Sequence, residues 1–392
     1  MIYLDNAATT YPKSERVYQK LNQANRFLAV NAGRGGYDLA QQAAELIQDT
    51  RQKINVLFEG NAEWENIFTS SATFALNQIL FGQSWNSGDV IYVSPYEHNS
   101  VMRPLYELQK RYDLVIKEMP LKPDCRIDLE KLEYQFAVEN PVGVIITAVS
   151  NVTGYILPCE QIAAYAKQYE AIVIIDASQA AGLVPISVKK INADFIVWAG
   201  HKTLYASLGV GGYFARKKAL EKLGNYFLGG TGSDSLNLAM PASAVERLEP
   251  ASHNIVAIAG LHEALMELWE IKGNFQDSVD NLLQKEQELS HYLYQKLSGQ
   301  KQIKLYPVKR QMEDYVGIVS FAINEYQAED VGEILNDEFE IAVRTGYHCT
   351  PWIHQYLGSM ETGGTVRVSL GRFNTKEDVD ALVKAVEEII TI

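Results

Sequence analysis

Two groups of residues in this chain have the types and spacing to do chemistry. The first is His201-Lys202, delivered by the apolar run Phe195, Ile196, Val197, Trp198 through Ala199-Gly200. A lysine at the mouth of a buried strand is costly to desolvate unless something pairs or uses it. Burial lowers its pKa, and an amine neutral near pH 7 can form a Schiff base. The other reading is a surface lysine on a turn. The second group is Arg344 to Cys349, RTGYHC. A thiol of reference pKa about 8.5 stands beside a histidine and close to an arginine, surroundings that can raise the thiolate fraction. Its other readings are an inert buried cysteine or, with His348 and His354, a metal ligand that lacks a second clear ligand group.

Three further groups stand at the ends of apolar runs. Ile172–Ile175 ends in Asp176, followed by Ala177-Ser178-Gln179. That carboxylate either caps the next helix or pairs with a pyridinium nitrogen and keeps it protonated. The run ending at Thr69 continues as Ser70-Ser71-Ala72-Thr73 into a helix, which is either an ordinary hydroxyl cap or an anion site made by free N–H groups. Val90–Val93 leads to Glu97-His98-Asn99-Ser100, whose imidazole can stack on an aromatic ring or exchange protons. A lysine for an imine, an aspartate for a ring nitrogen, a helix N-terminus for a phosphate and an imidazole for a ring face together describe a pyridoxal phosphate site.

The elements that must position these groups alternate. From about residue 66 short apolar runs (66–69, 90–93, 114–118, 142–147, 172–175, 195–198, 211–215) are interleaved with helical segments at 73–81, near 101–112 and at 161–169. Strands apolar on both faces, alternating with helices, predict a mostly parallel α/β sheet with its ligands beyond the carboxyl ends of the strands. Helical periodicity also marks 14–27 and 38–57. Near residue 255 the pattern changes to two long helices, 255–271 and 276–297. Strands at 316–323 and 365–370 and a final helix at 376–390 follow. The domain boundary is therefore expected near 255. The irregular, glycine-rich segment Asn31 to Tyr37 (NAGRGGY) is read as a close-approach loop.

The 392 residues are 47% hydrophobic, enough for a large core. A net charge of −13 argues against nucleic acid or an anionic membrane as the main partner. Three scattered cysteines suit a reducing compartment, and Met1 leads straight into YLDNAATT without signal-peptide features. A cytoplasmic protein with no membrane partner and no metal is expected.

The segments YLDNAATT, SSATFALN, EHNSVMRP, SNVTGYILP, DASQAAG, GHK, GGTGS, RTGYHC and VRVSLGRFNT occur in the order found in the class V, fold type I pyridoxal-phosphate enzymes. The chain most resembles their cysteine desulfurase and selenocysteine lyase family, over nearly its whole length. The resemblance implies a large cofactor domain (16–255) with a mostly parallel seven-stranded sheet and a smaller C-terminal α/β domain (256–392). Residues 1–15 would pack with the small domain. It implies Lys202 as the Schiff-base lysine, His98 stacked on the pyridine and serving as an acid/base group, Asp176 on the ring nitrogen and Gln179 near the phenolic oxygen. Ala72, Thr73, His201 and Ser252 would serve the phosphate, with Ser252 reaching that of a neighbouring subunit. Asn151 would lie near the ring. Asn31, Asn151, Arg344 and Arg367 would meet the substrate, Arg367 gripping its carboxylate, and Cys349 would accept sulfur as a persulfide. A homodimer acting on L-cysteine or selenocysteine, with a sulfur-acceptor protein, follows. A selenocysteine lyase, a C–S β-lyase, another class V aminotransferase-like enzyme and a catalytically retired sulfur-carrier scaffold are the alternatives. The chain departs from the family pattern at Ala199, where many members have serine, at Ala251-Ser252-His253-Asn254, where Gly-Thr-Pro-Asn is common, and in the LYASLGVGG loop after Lys202.

Overall fold

The computed structural model describes residues 1–32, 35–233 and 236–391; Gly33 and Arg34 of the expected glycine-rich loop lie outside them. The chain begins with β1 (Ile2–Tyr3), α1 (Glu15–Phe27) and α2 (Asp38–Leu57). A sheet region follows: β2 (Trp64–Thr69), α3 (Ala72–Gly82), β3 (Val90–Val93), α4 (Asn99–Tyr112), β4 (Val115–Glu118), α5 (Leu129–Val138), β5 (Gly143–Thr147), α6 (Cys159–Lys167), β6 (Ile172–Asp176), β7 (Phe195–Ala199) and β8 (Gly211–Arg216). Two short helices, α7 (Lys217–Lys222) and α8 (Ala244–Leu248), lead to α9 (Ile255–Glu270) and α10 (Phe275–Ser298). The chain ends with β9 (Ile303–Tyr306), β10 (Ile318–Ile323), α11 (Ala328–Phe339), β11 (Ile341–Ala342), β12 (Arg344–Gly346), α12 (Pro351–Leu357), β13 (Thr365–Ser369) and α13 (Lys376–Thr391).

The large sheet has seven strands in the order β2-β8-β7-β6-β5-β3-β4. Every residue of β5, β7 and all but the first of β6 is buried, as their unbroken apolar sequences require of strands covered on both faces. β8 runs antiparallel to both β2 and β7. The reason is length: the 200–210 connection is too short for the helical crossover that a parallel pair needs, so the chain turns straight back, and Lys202 lies in that return. The carboxyl ends of β2, β3, β5, β6 and β7 share one edge. The smaller sheet is antiparallel, β12-β13-β10-β9.

The N-terminal residues belong to both parts. β1 pairs in parallel with β11, the Asn6 and Ala7 amides donate to Ser369, and Thr9, Thr10 and Lys13 all reach the His201 carbonyl. α9 shares its buried apolar face with the cluster under the large sheet, whereas α13 and most of α11 close a separate cluster with β10 and β13. The short elements α5, α7, α8, α11, α12, β9, β11 and β12 were not anticipated from periodicity. Among the described residues, no helix is long and apolar enough to cross a membrane.

Gly211, the first residue of β8, backs directly onto the turn that starts α3. A Cβ there would sit 2.7 Å from the Ser71 carbonyl carbon and 2.8 Å from the Ala72 nitrogen, backbone atoms that cannot swing aside. Gly211→Ala should therefore destabilise the fold by about 1–3 kcal/mol, the usual range for overpacking. Urea unfolding measures it, and an unchanged midpoint would mean that the α3 start is not fixed against β8.

Candidate active site

Every strand-end group singled out in the sequence meets at one place. A cavity of about 220 Å³ at the carboxyl edge of the large sheet is lined by Ala72, Thr73, His98, Asn151, Asp176, Gln179, His201, Lys202, Arg344 and Arg367. Asp176 is the last residue of β6 and Lys202 comes three residues after β7, so register alone sets them on the same rim. Burial lowers the Lys202 pKa to about 8; the Asp176 charge opposes that shift, while Arg367 and Arg344 add to it. An amine so placed is a usable nucleophile near neutral pH.

Asp176 is 4% exposed, and one of its oxygens accepts from the Ser178 amide at 2.9 Å and from the Ser178 hydroxyl. The carboxylate is thereby fixed at one oxygen, and no hydrogen bond from the described residues goes to the other. His98 is the N-cap of α4: its Nδ1 accepts from the Ser100 amide at 3.0 Å and lies 2.8 Å from the Ser100 hydroxyl. An amide can only donate, so the proton of the neutral ring sits on Nε2. Burial, reinforced by Lys202, pushes the His98 pKa down to about 4. His201 is likewise held at about 4, chiefly by burial, and its buried Nδ1 has no protein partner.

α3 begins behind Ser71, whose hydroxyl accepts from the Phe74 amide. The first-turn residues Ala72 and Thr73 present the helix N-terminus to the cavity, an arrangement suited to an anion. Gln179 is committed on one side, its Nε2 donating 2.7 Å to the Ala7 carbonyl.

The C-terminal part supplies the opposite wall. Arg367 is 1% exposed, and its two terminal nitrogens donate to the Asn151 carbonyl at 2.9 Å and to Asp5 at 2.6 Å. The buried Nε has no protein partner, so the side edge of the fork, not its end, remains for a carboxylate. Arg344 Nη2 donates to Cys349 Sγ at 3.5 Å, and a guanidinium aimed at a sulfur suits a nucleophile. Asn151 spends its amide on the cysteine loop: Nδ2 donates to the His348 carbonyl and Oδ1 accepts from the Thr350 hydroxyl, both at 2.7 Å.

Cys349 itself does not line the cavity and meets it through Arg344, which does; two further expected residues stand apart. Ser252 is exposed and lines a separate groove of about 400 Å³ on the far side of the α3 start. Asn31 is exposed in the segment after α1 and does not line the cavity. Other groups were missed. Asp5 is the ion-pair partner of Arg367, though nothing in spacing links positions so far apart. Glu97 is 1% exposed, accepts at one oxygen from the Ser94 hydroxyl and the Thr147 amide, both at 2.6 Å, and leaves the other without a partner. Burial pushes its pKa up to about 8, and the Asp176 charge adds to the rise. A charged residue beside His98 was the only signal for it.

Glu97 is therefore neutral in the folded state at pH 7. A carboxyl raised from 4.5 to about 8 contributes fully below pH 4.5 and loses that contribution as pH climbs to about 8. Glu97→Gln has no such loss. Its stability relative to the wild type should rise by more than about 1 kcal/mol between pH 5 and pH 8, measured by urea unfolding at both. A difference that does not change with pH would mean that Glu97 is ionised in the fold.

Comparison with known proteins agrees with this geometry. The class V aminotransferase family matches residues 2–382. The chain is 31% identical to a probable cysteine desulfurase of Halalkalibacterium halodurans, covering 99% of this chain and 93% of that protein. It is 29% identical to a probable cysteine desulfurase of Synechocystis, covering 100% and 91%. Among solved structures, the apo cysteine desulfurase of Thermococcus onnurineus superposes with a TM-score of 0.89 at 27% identity, over 100% of this chain and 94% of that one. The fold, the cavity and these matches agree: the chain belongs to the class V aminotransferase family.

Proposed function

We propose that the protein is a pyridoxal-phosphate-dependent cysteine desulfurase, converting L-cysteine to L-alanine and taking the sulfur onto Cys349. The observation that carries this reading is the convergence, on one cavity, of a lysine lowered to about pKa 8, a buried aspartate at a strand end, and an arginine bonded to a cysteine sulfur. The residues also fit the cofactor on their own terms. His201 keeps a buried, unpartnered Nδ1 at the cavity wall, and Gly211 leaves no side chain to crowd the α3 N-terminus.

In this reading the α3 first turn and His201 would hold the phosphate, Asp176 would pair with the ring nitrogen, and His98 and Gln179 would hold the ring. Bound pyridoxal phosphate would supply an electron sink for bonds at the substrate's α carbon. Lys202 anchors the cofactor and moves the proton at that carbon. His98, with its proton on Nε2, is the second acid/base group. The Nε edge of Arg367, together with Arg344, orients the substrate carboxylate. Cys349 attacks the substrate sulfur as a thiolate. A sulfur–sulfur bond forms, the carbon–sulfur bond breaks with its electron pair left on carbon, and protonation of that carbon gives alanine. The persulfide then passes to an acceptor protein or small thiol. A cytoplasmic homodimer, divided into 16–255 and 256–392 with residues 1–15 joining the latter, belongs to the same proposal.

Two experiments bear on it. Capture of pyridoxal phosphate by the cofactor-free chain should accelerate with pH around a midpoint near 8, because only the neutral amine attacks the aldehyde. Stopped-flow absorbance follows it, and a midpoint near 10 would assign the reaction to an ordinary exposed lysine. Cys349→Ser should fold and bind cofactor normally yet lose alanine formation from cysteine by at least about 100-fold, as removal of a nucleophile does. Wild-type alanine output from this variant would remove Cys349 from the chemistry. Pyruvate and ammonia in place of alanine would mark a β-lyase, and activity retained on selenocysteine alone would mark a lyase of that substrate.

A further inference from the structure

On the far side of the α3 start from the cavity, one buried carboxylate joins three parts of the chain. Glu249 has a side chain only 2% exposed. It accepts from both terminal nitrogens of Arg51 at 2.8 and 3.0 Å, from the Phe68 amide at 2.7 Å, and pairs with His253 Nε2 at 2.6 Å. Arg51 also donates to the Asn66 carbonyl and lies 4.9 Å over the Phe68 ring. Burial alone would raise the Glu249 pKa, but Arg51 and His253 outweigh it and hold the group below the ordinary value. A buried charge with this many donors acts as a fixed anchor.

What it anchors is the strand that runs into the α3 start at the cavity and the turn across the neighbouring groove. Phe68 belongs to β2, which passes through Thr69 and Ser70 to Ser71, the cap of α3, and so to the first-turn residues Ala72 and Thr73. His253 belongs to the turn 250–254. That turn holds Ala251 at φ +77°, a conformation a side-chain-bearing residue adopts only when its surroundings impose it. The Ala251 amide donates to the Gly230 carbonyl at 2.8 Å. Asn254 caps α9 and donates 3.5 Å to the Gly209 carbonyl, in the return that carries Lys202. Ser252 is exposed between them and faces a groove shared with Thr69, Ser70 and Phe74. A proline would stiffen such a turn through its fixed φ. This chain has His253 instead, and the turn is held from outside by Glu249.

The structure assigns His253 and Glu249 a positioning role: the pair latches the strained 250–254 turn to strand β2 and so fixes the phosphate end of the cofactor site. The inference rests on the pyridoxal phosphate reading and goes beyond it by naming residues outside the cavity that set phosphate affinity.

The test compares two aldehydes on the full-length chain stripped of cofactor, pyridoxal phosphate and pyridoxal, which differ only in the phosphate. Adduct formation is followed by absorbance and by borohydride fixation at Lys202. In His253→Ala the dissociation constant for pyridoxal phosphate should rise about tenfold, the size of a lost hydrogen bond to a charged group, while that for pyridoxal stays within about twofold. His253→Gln, which keeps a donor toward Glu249, should return most of the lost affinity, and His253→Glu, which sets like charges together, should reproduce the selective loss. Equal weakening of both aldehydes, or unchanged pyridoxal phosphate binding in the alanine and glutamate variants, would overturn the latch while leaving the cofactor reading intact. A wild-type chain that captured neither aldehyde would overturn the cofactor reading and the latch together.

Discussion

The carbonyl oxygen of His201 is the point on which the arrangement depends. It accepts from the Thr10 amide at 3.1 Å, the Thr9 hydroxyl at 3.1 Å, the Thr10 hydroxyl at 3.2 Å and Lys13 Nζ at 3.0 Å. A carbonyl has two lone pairs, so these donors share it, and the peptide that precedes Lys202 has little freedom left. The same N-terminal segment is committed at its other end through the β1–β11 pairing and the Asp5–Arg367 ion pair. A shift of the C-terminal sheet would therefore be felt at the lysine through a few backbone contacts. Tyr205 tightens the link from the other side. Its hydroxyl accepts from the Arg372 amide at 2.6 Å while the Arg372 guanidinium lies 4.2 Å over its ring.

The cysteine loop is held under strain by the opposite part of the molecule. His348 and Cys349 lie at φ +50° and +59°, and left-handed backbone at non-glycine residues costs on the order of 1–3 kcal/mol each. Asn151 bonds to the carbonyl before Cys349 and to the hydroxyl after it, and the Asn99 amide donates 2.8 Å to the Cys349 carbonyl. His348, buried and pushed well below its ordinary pKa chiefly by that burial, bonds to the Thr365 hydroxyl at 2.9 Å. The loop keeps its shape against β5's outgoing turn and the start of α4, with Thr365 of β13 holding His348. Both segments also line the cavity, so the sulfur and the cavity wall are positioned together.

What could be read from the sequence follows from this division. Strands buried on both faces announce themselves as apolar runs, and parallel order puts their ends on one rim, so Asp176, His98, Thr73 and Lys202 were legible as a set. Short elements of the C-terminal part, α12 and β12 among them, carry too few residues for a period to show, and their placement comes from packing. The partners of the functional groups were illegible for another reason. Asp5 with Arg367, and Glu249 with Arg51, are contacts made by tertiary folding between segments that no local pattern relates. Glu97 shows the limit most clearly: its position beside His98 was visible, but neutrality at pH 7 comes from burial, which composition does not report.

The resulting electrostatics oppose those of the whole protein. The chain carries a net charge of −13, yet its cavity is lined by Arg344, Arg367 and Lys202 against the single carboxylate of Asp176. Two histidines on that wall, His98 and His201, are held near pKa 4 by burial first and add no charge, while Glu97 behind it is pushed to about 8 and subtracts none. Had Glu97 stayed ionised, its charge would have cancelled one of the cations and opposed Asp176 across a low-dielectric gap. Its neutrality leaves Asp176 at the rim and Asp5, paired to Arg367, as the carboxylates set against Arg344, Arg367 and Lys202, and the balance positive. In an acidic protein, a small enclosed patch of the opposite sign concentrates the field where a phosphate and a carboxylate must be held, and it keeps that preference local to the cavity rather than spread over the surface.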